Sequence, residues 1–223
     1  MKIEGELYEG EFLERLNRFT VLVNYNNRKL TCHLHDPGRL RELLIPNRRI
    51  LFKKVSHDKR KTEYDVIAVK SNGYWVIVDS RMPNLILKKM IEKSILKFEI
   101  IEENIRCGKS IIDFLLRKDD VKYIVEVKGC TLCENGIALF PDAPTLRGSR
   151  QLLDMMNCNA KPMIIFIIMR KDAHSISINY NMDRKFYEAI KLGIMKNLII
   201  RAFKVALEES VIYFEGDVKF FIE

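Results

Sequence analysis

The first 80 residues break repeatedly into short, β-rich runs separated by turn residues, and this spacing constrains the fold more than any other feature of the chain. "RFTVLVNY", the turn "NN" and "RKLTCHLH" read as a hairpin. "DPG" closes it, and "RLRELL" has the length of a short helix. "RRILFKKV", "EYDVIAVK" and "YWVIVDS" follow as three more strands, the last two joined through "SNG". Five strands with a short helix between them predict a small OB-like β-barrel over residues 1–80.

From residue 81 onward the pattern changes. Helical spacing over "NLILKKMIEKSILKF" follows Pro83, and "SIIDFLLR" and "YIVEVKG" read as strands around "KDDVK". After a short "IALF", a helix capped by Thr145 or Asp142 runs to about Asn157, ahead of the strongly apolar strand "PMIIFIIM". "DRKFYEAIKLGI" is a further helix, followed by the strands "LIIRAFKVAL", "SVIYF" and "VKFFI". This alternation predicts an α/β domain over residues 81–223. No run reaches the roughly 18 apolar residues of a membrane span. The segment "MKIEGELYEG" is acidic and lacks a signal-peptide core, and five cysteines without scaffold density suit a reducing compartment. A cytoplasmic protein without membrane contact is expected.

The net charge of +8 is localised: residues 28–61 hold eleven Lys and Arg against three acids, while the rest of the chain balances. No basic amphipathic helix accompanies this excess, so DNA or another polyanion is the expected partner rather than a membrane. Solvated strand faces are the ordinary alternative. In "RRILFKKV", Phe52 stands between Arg48, Arg49 and Lys53, Lys54. OB grooves use such interleaving to track phosphates with cations and stack bases on rings.

The strand "YIVEVKGCTL" poses a different question, because alternation puts Glu126 and Lys128 on one face of an otherwise apolar segment. Burying either charge without partners is costly, so the face either meets water or lines a cleft. Asp113 of "SIIDF" falls beside Glu126 if the two strands are adjacent. Two carboxylates, the Val127 carbonyl and waters make an oxygen-only shell that suits Mg²⁺ or Mn²⁺. Lys128 then serves to orient a water and to stabilise charge developing on a phosphate. This is the D…(D/E)xK arrangement of many metal-dependent nucleases, with Glu102 or Glu103 as a third carboxylate from an upstream helix. The alternative is an i, i+2 ion pair on a wet face, worth about 0–1 kcal/mol. Arg147 and Gln151 share a helix face suited to a phosphate and a base edge or sugar, and Gly148 between them suits close backbone approach. Cys130 and Cys133 form C-x-x-C without a second pair of zinc spacing, and read as small buried turn residues. His33 and His35 share a strand face, as a contact surface or a packed pair.

"RLNRF", "HLHDPGRLRELL", "SIIDF", "EVKGCTL" and "FPDAPTLRG" occur in this order. Together they resemble the sugar fermentation stimulation protein family, SfsA, over nearly the whole chain. The resemblance implies an OB-like module joined to a domain of the PD-(D/E)xK nuclease fold, DNA binding without sequence specificity, a regulatory link to sugar use, and a metal site on Asp113, Glu126 and Lys128. The chain departs from the family pattern at Ile111, where a basic residue is usual, at Gln151, where histidine commonly stands, and at Asp36, where asparagine is usual. The expected function is sequence-independent DNA binding with metal-dependent phosphodiester hydrolysis. The rival is a DNA-binding regulator of sugar metabolism that keeps the fold and cuts nothing; an RNA-binding barrel beside an unrelated α/β domain leaves the second half's motifs unexplained.

Overall fold

The computed structural model describes residues 1–55 and 62–222, so Lys59, Arg60 and Lys61 of the basic segment lie outside the described residues. Strands β1 (Leu7–Asn17), β2 (Thr20–Tyr25), β3 (Arg28–His33), β4 (Arg49–Lys54) and β5 (Tyr64–Ser71) form a closed OB-like barrel. Antiparallel pairing links β1 to β2 and β4, β2 to β3, and β4 to β5. A parallel contact between β3 and β5 completes the closure. Alternating positions fill the inside, among them Val21, Val23, Cys32, Ile50, Phe52 and Val66. The "NN" turn holds Asn26 and Asn27 both at positive φ, as a two-residue hairpin of primed type requires.

Two expectations within the barrel need correction. The strands read from the sequence omit β1, whose "LYEGEFLERLN" buries only Phe12 fully and so carries little apolar contrast. "RLRELL" is a turn rather than a helix: the Leu43 and Leu44 amides both donate to the Leu40 carbonyl, and Leu40 and Leu43 fill the barrel core.

Strand β6 (Tyr74–Ile77) pairs with β5 and meets the second half of the chain through Trp75 opposite Leu207. There follow α1 (Met82–Glu92), β7 (Glu99–Cys107), β8 (Ser110–Lys118), β9 (Val121–Cys130), β10 (Cys133–Glu134), β11 (Ile137–Phe140), α2 (Leu146–Met155) and β12 (Lys161–Ile168). The chain then forms β13 (Ser175–Ile178), α3 (Arg184–Met195), β14 (Ile199–Glu208), β15 (Val211–Asp217) and β16 (Lys219–Phe221). The main sheet of this half runs β7-β8-β9-β12-β14, antiparallel at its β7 side and parallel from β9 to β14. Helix α1 packs on one face, with Ile86, Leu87 and Met90 joined to Val125, Val127 and Ile165. Helices α2 and α3 cover the other, with Leu152, Phe186 and Ile190 against Ile164, Phe166 and Ile168. β12 is therefore buried on both faces, which is why its sequence is continuously apolar. The architecture is an OB-like barrel followed by an α/β domain.

Helix α1 ends earlier than its spacing suggests, at Glu92. Thr145, not Asp142, caps α2: its hydroxyl accepts the Gly148 amide at 3.1 Å. Cys107 and Cys158 are joined as a disulfide between the end of β7 and the loop after α2, within a small apolar cluster with Ile112, Ile124 and Met155. The cysteine spacing holds no hint of this pair; tertiary packing brings it together. Cys130 and Cys133 carry free thiols, Cys130 fully buried and its thiol pushed well above the ordinary range by burial. Among the described residues no helix is long and apolar enough to cross a membrane.

Candidate metal centre

β8 and β9 pair as a hairpin whose ladder runs outward from Phe114 opposite Val125. Asp113 and Glu126 stand just past that pairing, where the strands part. Into this gap the Asp113 carboxylate inserts: Oδ2 accepts the Val127 amide at 2.8 Å, and Oδ1 accepts the Asn84 side-chain amide of α1 at 3.0 Å. Each oxygen keeps a lone pair after these bonds.

Glu126 is 3% exposed, and burial drives its pKa up to about 7 against the opposing pull of Lys128; Asp113 adds to the rise. Its Oε1 accepts Lys128 Nζ at 2.6 Å, while Oε2 is buried with no hydrogen-bond partner among the described residues. A buried carboxylate oxygen left without a donor costs free energy that a cation would recover. Lys128 Nζ also donates to Gln151 Oε1 at 3.0 Å, and Gln151 Nε2 donates to the Ile111 carbonyl at 3.0 Å. Gln151 is 1% exposed and ties Lys128 to β8 from the wall of the cleft.

These groups line a cleft of about 630 Å³ between the barrel and the sheet. Arg18, Asp36 and Gly38 border it from the barrel, and Asn84, Asp142 and Arg147 complete its walls. Arg147 is exposed on α2 and its positive charge acts on Glu126. Gly148 is closely packed: a Cβ there would lie 3.0 Å from Thr145 Oγ1 and 3.1 Å from the Phe186 ring of α3, so those neighbours would have to shift by a few tenths of an ångström. The expected third carboxylate does not reach the site. Glu102 and Glu103 lie exposed on edge strand β7, not on a helix, and Glu103 pairs with Lys88 at 3.0 Å. The upstream helix instead presents Asn84. Among the described residues no group of three His, Cys, Asp or Glu is placed to hold a metal. The site is a two-carboxylate centre with an amide beside it. Asn84 and the role of Gln151 depend on how α1 and α2 lie over the sheet; Pro83 marks the start of α1 but not its facing.

The basic residues of "RRILFKKV" do not line this cleft. Arg49 is ion-paired with Glu9, Arg48 donates to the Glu42 carbonyl, and Lys53 donates to the Glu4 carbonyl at 3.3 Å. Lys54 is exposed. Phe52 is 0% exposed in the barrel core, so it cannot stack a base. Ile50 and Phe52 share strand parity, and both point inward.

Asp36 lies at the barrel edge of the cleft. Its Oδ1 accepts the Gly38 amide at 2.6 Å, and burial, reinforced by the nearby Asp142 charge, raises its pKa to about 6. The folded chain therefore holds a proton that the unfolded chain, with a pKa of about 3.9, has already lost. Stability is lost as pH rises from about 4 to 6 and stays lower above that window. Asp36→Asn keeps the acceptor and cannot ionise. It is expected to stabilise the chain by about 1–2 kcal/mol at pH 8, a rise of about 4 °C in Tm, with little difference at pH 4. Thermal melts at both pH values check this; equal Tm at pH 8 would mean that the carboxylate is well solvated.

Two family models match the chain: the SfsA N-terminal OB domain over residues 13–78, and the sugar fermentation stimulation protein RE domain over residues 81–210. A sugar fermentation stimulation protein homolog of Methanothermobacter thermautotrophicus is 40% identical over 86% of this chain and 82% of its own. A homolog from Clostridium tetani is 33% identical over 98% of this chain and 99% of its own. The structure of Pyrococcus furiosus SfsA in complex with Ca²⁺ superimposes with a TM-score of 0.92 at 28% identity, covering the whole of both chains. With both halves matched and full-length relatives at this identity, the chain belongs to the sugar fermentation stimulation protein family, SfsA.

Proposed function

We propose that this chain binds DNA without sequence preference and hydrolyses its phosphodiester bonds with the help of Mg²⁺ or Mn²⁺. The observation that carries the reading is the buried, unpartnered Glu126 Oε2 beside Asp113 at the floor of an open cleft. Asp113, Glu126 and the Val127 carbonyl would hold the cation. The cation, when bound, polarises the phosphodiester and eases deprotonation of the attacking water. Lys128 orients that water and offsets charge growing on the phosphate. Asn84 fixes the Asp113 carboxylate, and Gln151 fixes Lys128. Arg147, exposed on the cleft wall, is a cation for a neighbouring phosphate, and Arg48, Arg49, Lys53 and Lys54 extend the cationic field over the barrel. The Pyrococcus furiosus relative forms a complex with Ca²⁺, a hard divalent cation that takes oxygen ligands, and this supports the reading.

The rival reading, a DNA-binding regulator without cleavage, is favoured by the departures at Ile111 and Gln151: Ile111 is a 55% exposed apolar side chain, and Gln151 is a buried amide where histidine commonly stands. The two readings part in one assay. Purified protein is expected to nick plasmid DNA with Mg²⁺ or Mn²⁺ and to stop in EDTA, while still binding DNA in EDTA with an affinity that falls steeply with salt. DNA binding with no metal-dependent nicking would leave the regulator.

A further inference from the structure

We propose that Phe19 and His33, with Arg18 beside them, form a platform on the barrel that stacks unpaired bases at the mouth of the cleft. The substrate would then be a single DNA strand, or the single-stranded side of a junction, rather than uninterrupted duplex. This rests on the DNA reading above and adds the strandedness of the substrate.

Phe19 sits in the β1–β2 turn and is 42% exposed, so a face or edge of its ring is open to a ligand. Its backbone is pinned from two sides: its amide donates to Asn17 Oδ1 at 2.9 Å, and its carbonyl accepts the Leu34 amide at 2.9 Å. The ring is therefore displayed on a fixed turn. It lies nearly parallel to His33, with ring centroids 6.1 Å apart and an interplanar angle of 20°. His33 in turn meets His35 edge-on at 4.3 Å.

Behind this ladder is an ionic network on two buried carboxylates, Asp65 and Asp79. His35 bonds Asp65 at 2.9 Å, and Arg81 bridges Asp65 at 3.1 Å and Asp79 at 2.6 Å. Arg81 immediately precedes α1, the helix that carries Asn84 to Asp113. The platform and the carboxylates are thus built on one connected frame. Arg18 links them in space: its guanidinium lies 5.4 Å from the Phe19 ring centroid, and the same residue borders the cleft. Ser80, which also borders the cleft, donates to the His35 carbonyl at 2.7 Å.

A planar ring at a groove edge with a cation over it suits a nucleobase and its phosphate. In a continuous duplex the base faces are already stacked, so only an unpaired or extruded base can use such a ring. Phe52, the aromatic that the sequence pattern offers for this role, is sealed in the barrel core, whereas Phe19 is exposed next to Arg18, which borders the cleft.

Fluorescence anisotropy of the full chain in EDTA tests this, with a labelled single strand of about 20 nucleotides and the duplex of the same sequence. Phe19→Ala is expected to weaken single-strand binding about 10-fold, with duplex affinity unchanged within about two-fold. Phe19→Trp should restore single-strand binding, and His33→Ala should weaken it in the same direction. Unchanged duplex binding doubles as the check that the variants fold. Wild-type single-strand affinity in Phe19→Ala, or an equal loss for strand and duplex, would overturn the platform and leave the DNA reading standing. Failure of the wild type to bind either DNA would sink both.

Discussion

Lys128→Ala is expected to lower metal-dependent DNA cleavage by about 10²- to 10³-fold while leaving affinity for Mn²⁺ intact or higher. Lys128 Nζ touches Glu126 Oε1 and Gln151 Oε1, so it stands beside the proposed ligand Glu126 and, as a cation, would not itself bind metal. Its loss frees Glu126 Oε1 and removes a charge that competes with the cation. Burial raises the Glu126 pKa to about 7 against the pull of Lys128, and removing Lys128 raises it further, so the metal titrations are compared over a pH series above about 8, where proton competition fades for both proteins. Asp113→Ala should behave oppositely, losing metal affinity first and activity with it. Single-turnover cleavage at saturating metal, set beside calorimetric titration of the same preparations, separates the two effects. Equal trace cleavage by wild type and Lys128→Ala would mark the activity as a contaminant. The regulator reading would then take over.

The second large effect concerns the barrel. Gly10→Val is expected to destabilise the chain by about 3 kcal/mol, a fall of about 6–12 °C in Tm. Gly10 lies opposite Ile50 where β1 is shared between β2 and β4. A Cβ there would come within 2.5 Å of the Asn24 carbonyl oxygen and 2.8 Å of a Val23 methyl. The first of these is backbone, which cannot swing aside. Glu14→Ala, at an exposed position of the same strand, should melt with the wild type. A wild-type melt for Gly10→Val, followed by circular dichroism, would mean that β1 does not cross the barrel at this point.

The same strand shows where sequence reading reaches its limit. β1 and β7 leave little trace in the sequence, and each has a single fully buried residue, Phe12 and Cys107 respectively. With charges scattered along both, no apolar face stands out. β2 and β12 are plain because their burial is strongly patterned, alternating in the first and continuous in the second. The chemistry of the centre is partly legible for a related reason: strand parity fixes Glu126 and Lys128 on one face, and hairpin adjacency supplies Asp113. Helix positions are harder. Gln151 shares a face with Arg147 on any helical wheel, yet the docking of α2 turns it inward to Lys128. No spacing rule could exchange Glu102 or Glu103 for Asn84, because that contact arises only when α1 lies across β8. Phe52 lies in the barrel core, and its parity with Ile50 already points inward; Phe19 falls inside "RLNRF" and the strand-like run "RFTVLVNY", but only the fold shows that it sits exposed in the β1–β2 turn.

A divalent cation held between Asp113 and Glu126 would be seen most directly by anomalous diffraction from crystals soaked in Mn²⁺. A peak is expected between the two side chains, within about 2.0–2.3 Å of Glu126 Oε2 and an Asp113 oxygen, with Lys128 drawn away from Glu126. No Mn²⁺ there, with the Lys128–Glu126 pair intact at saturating metal, would contradict that site.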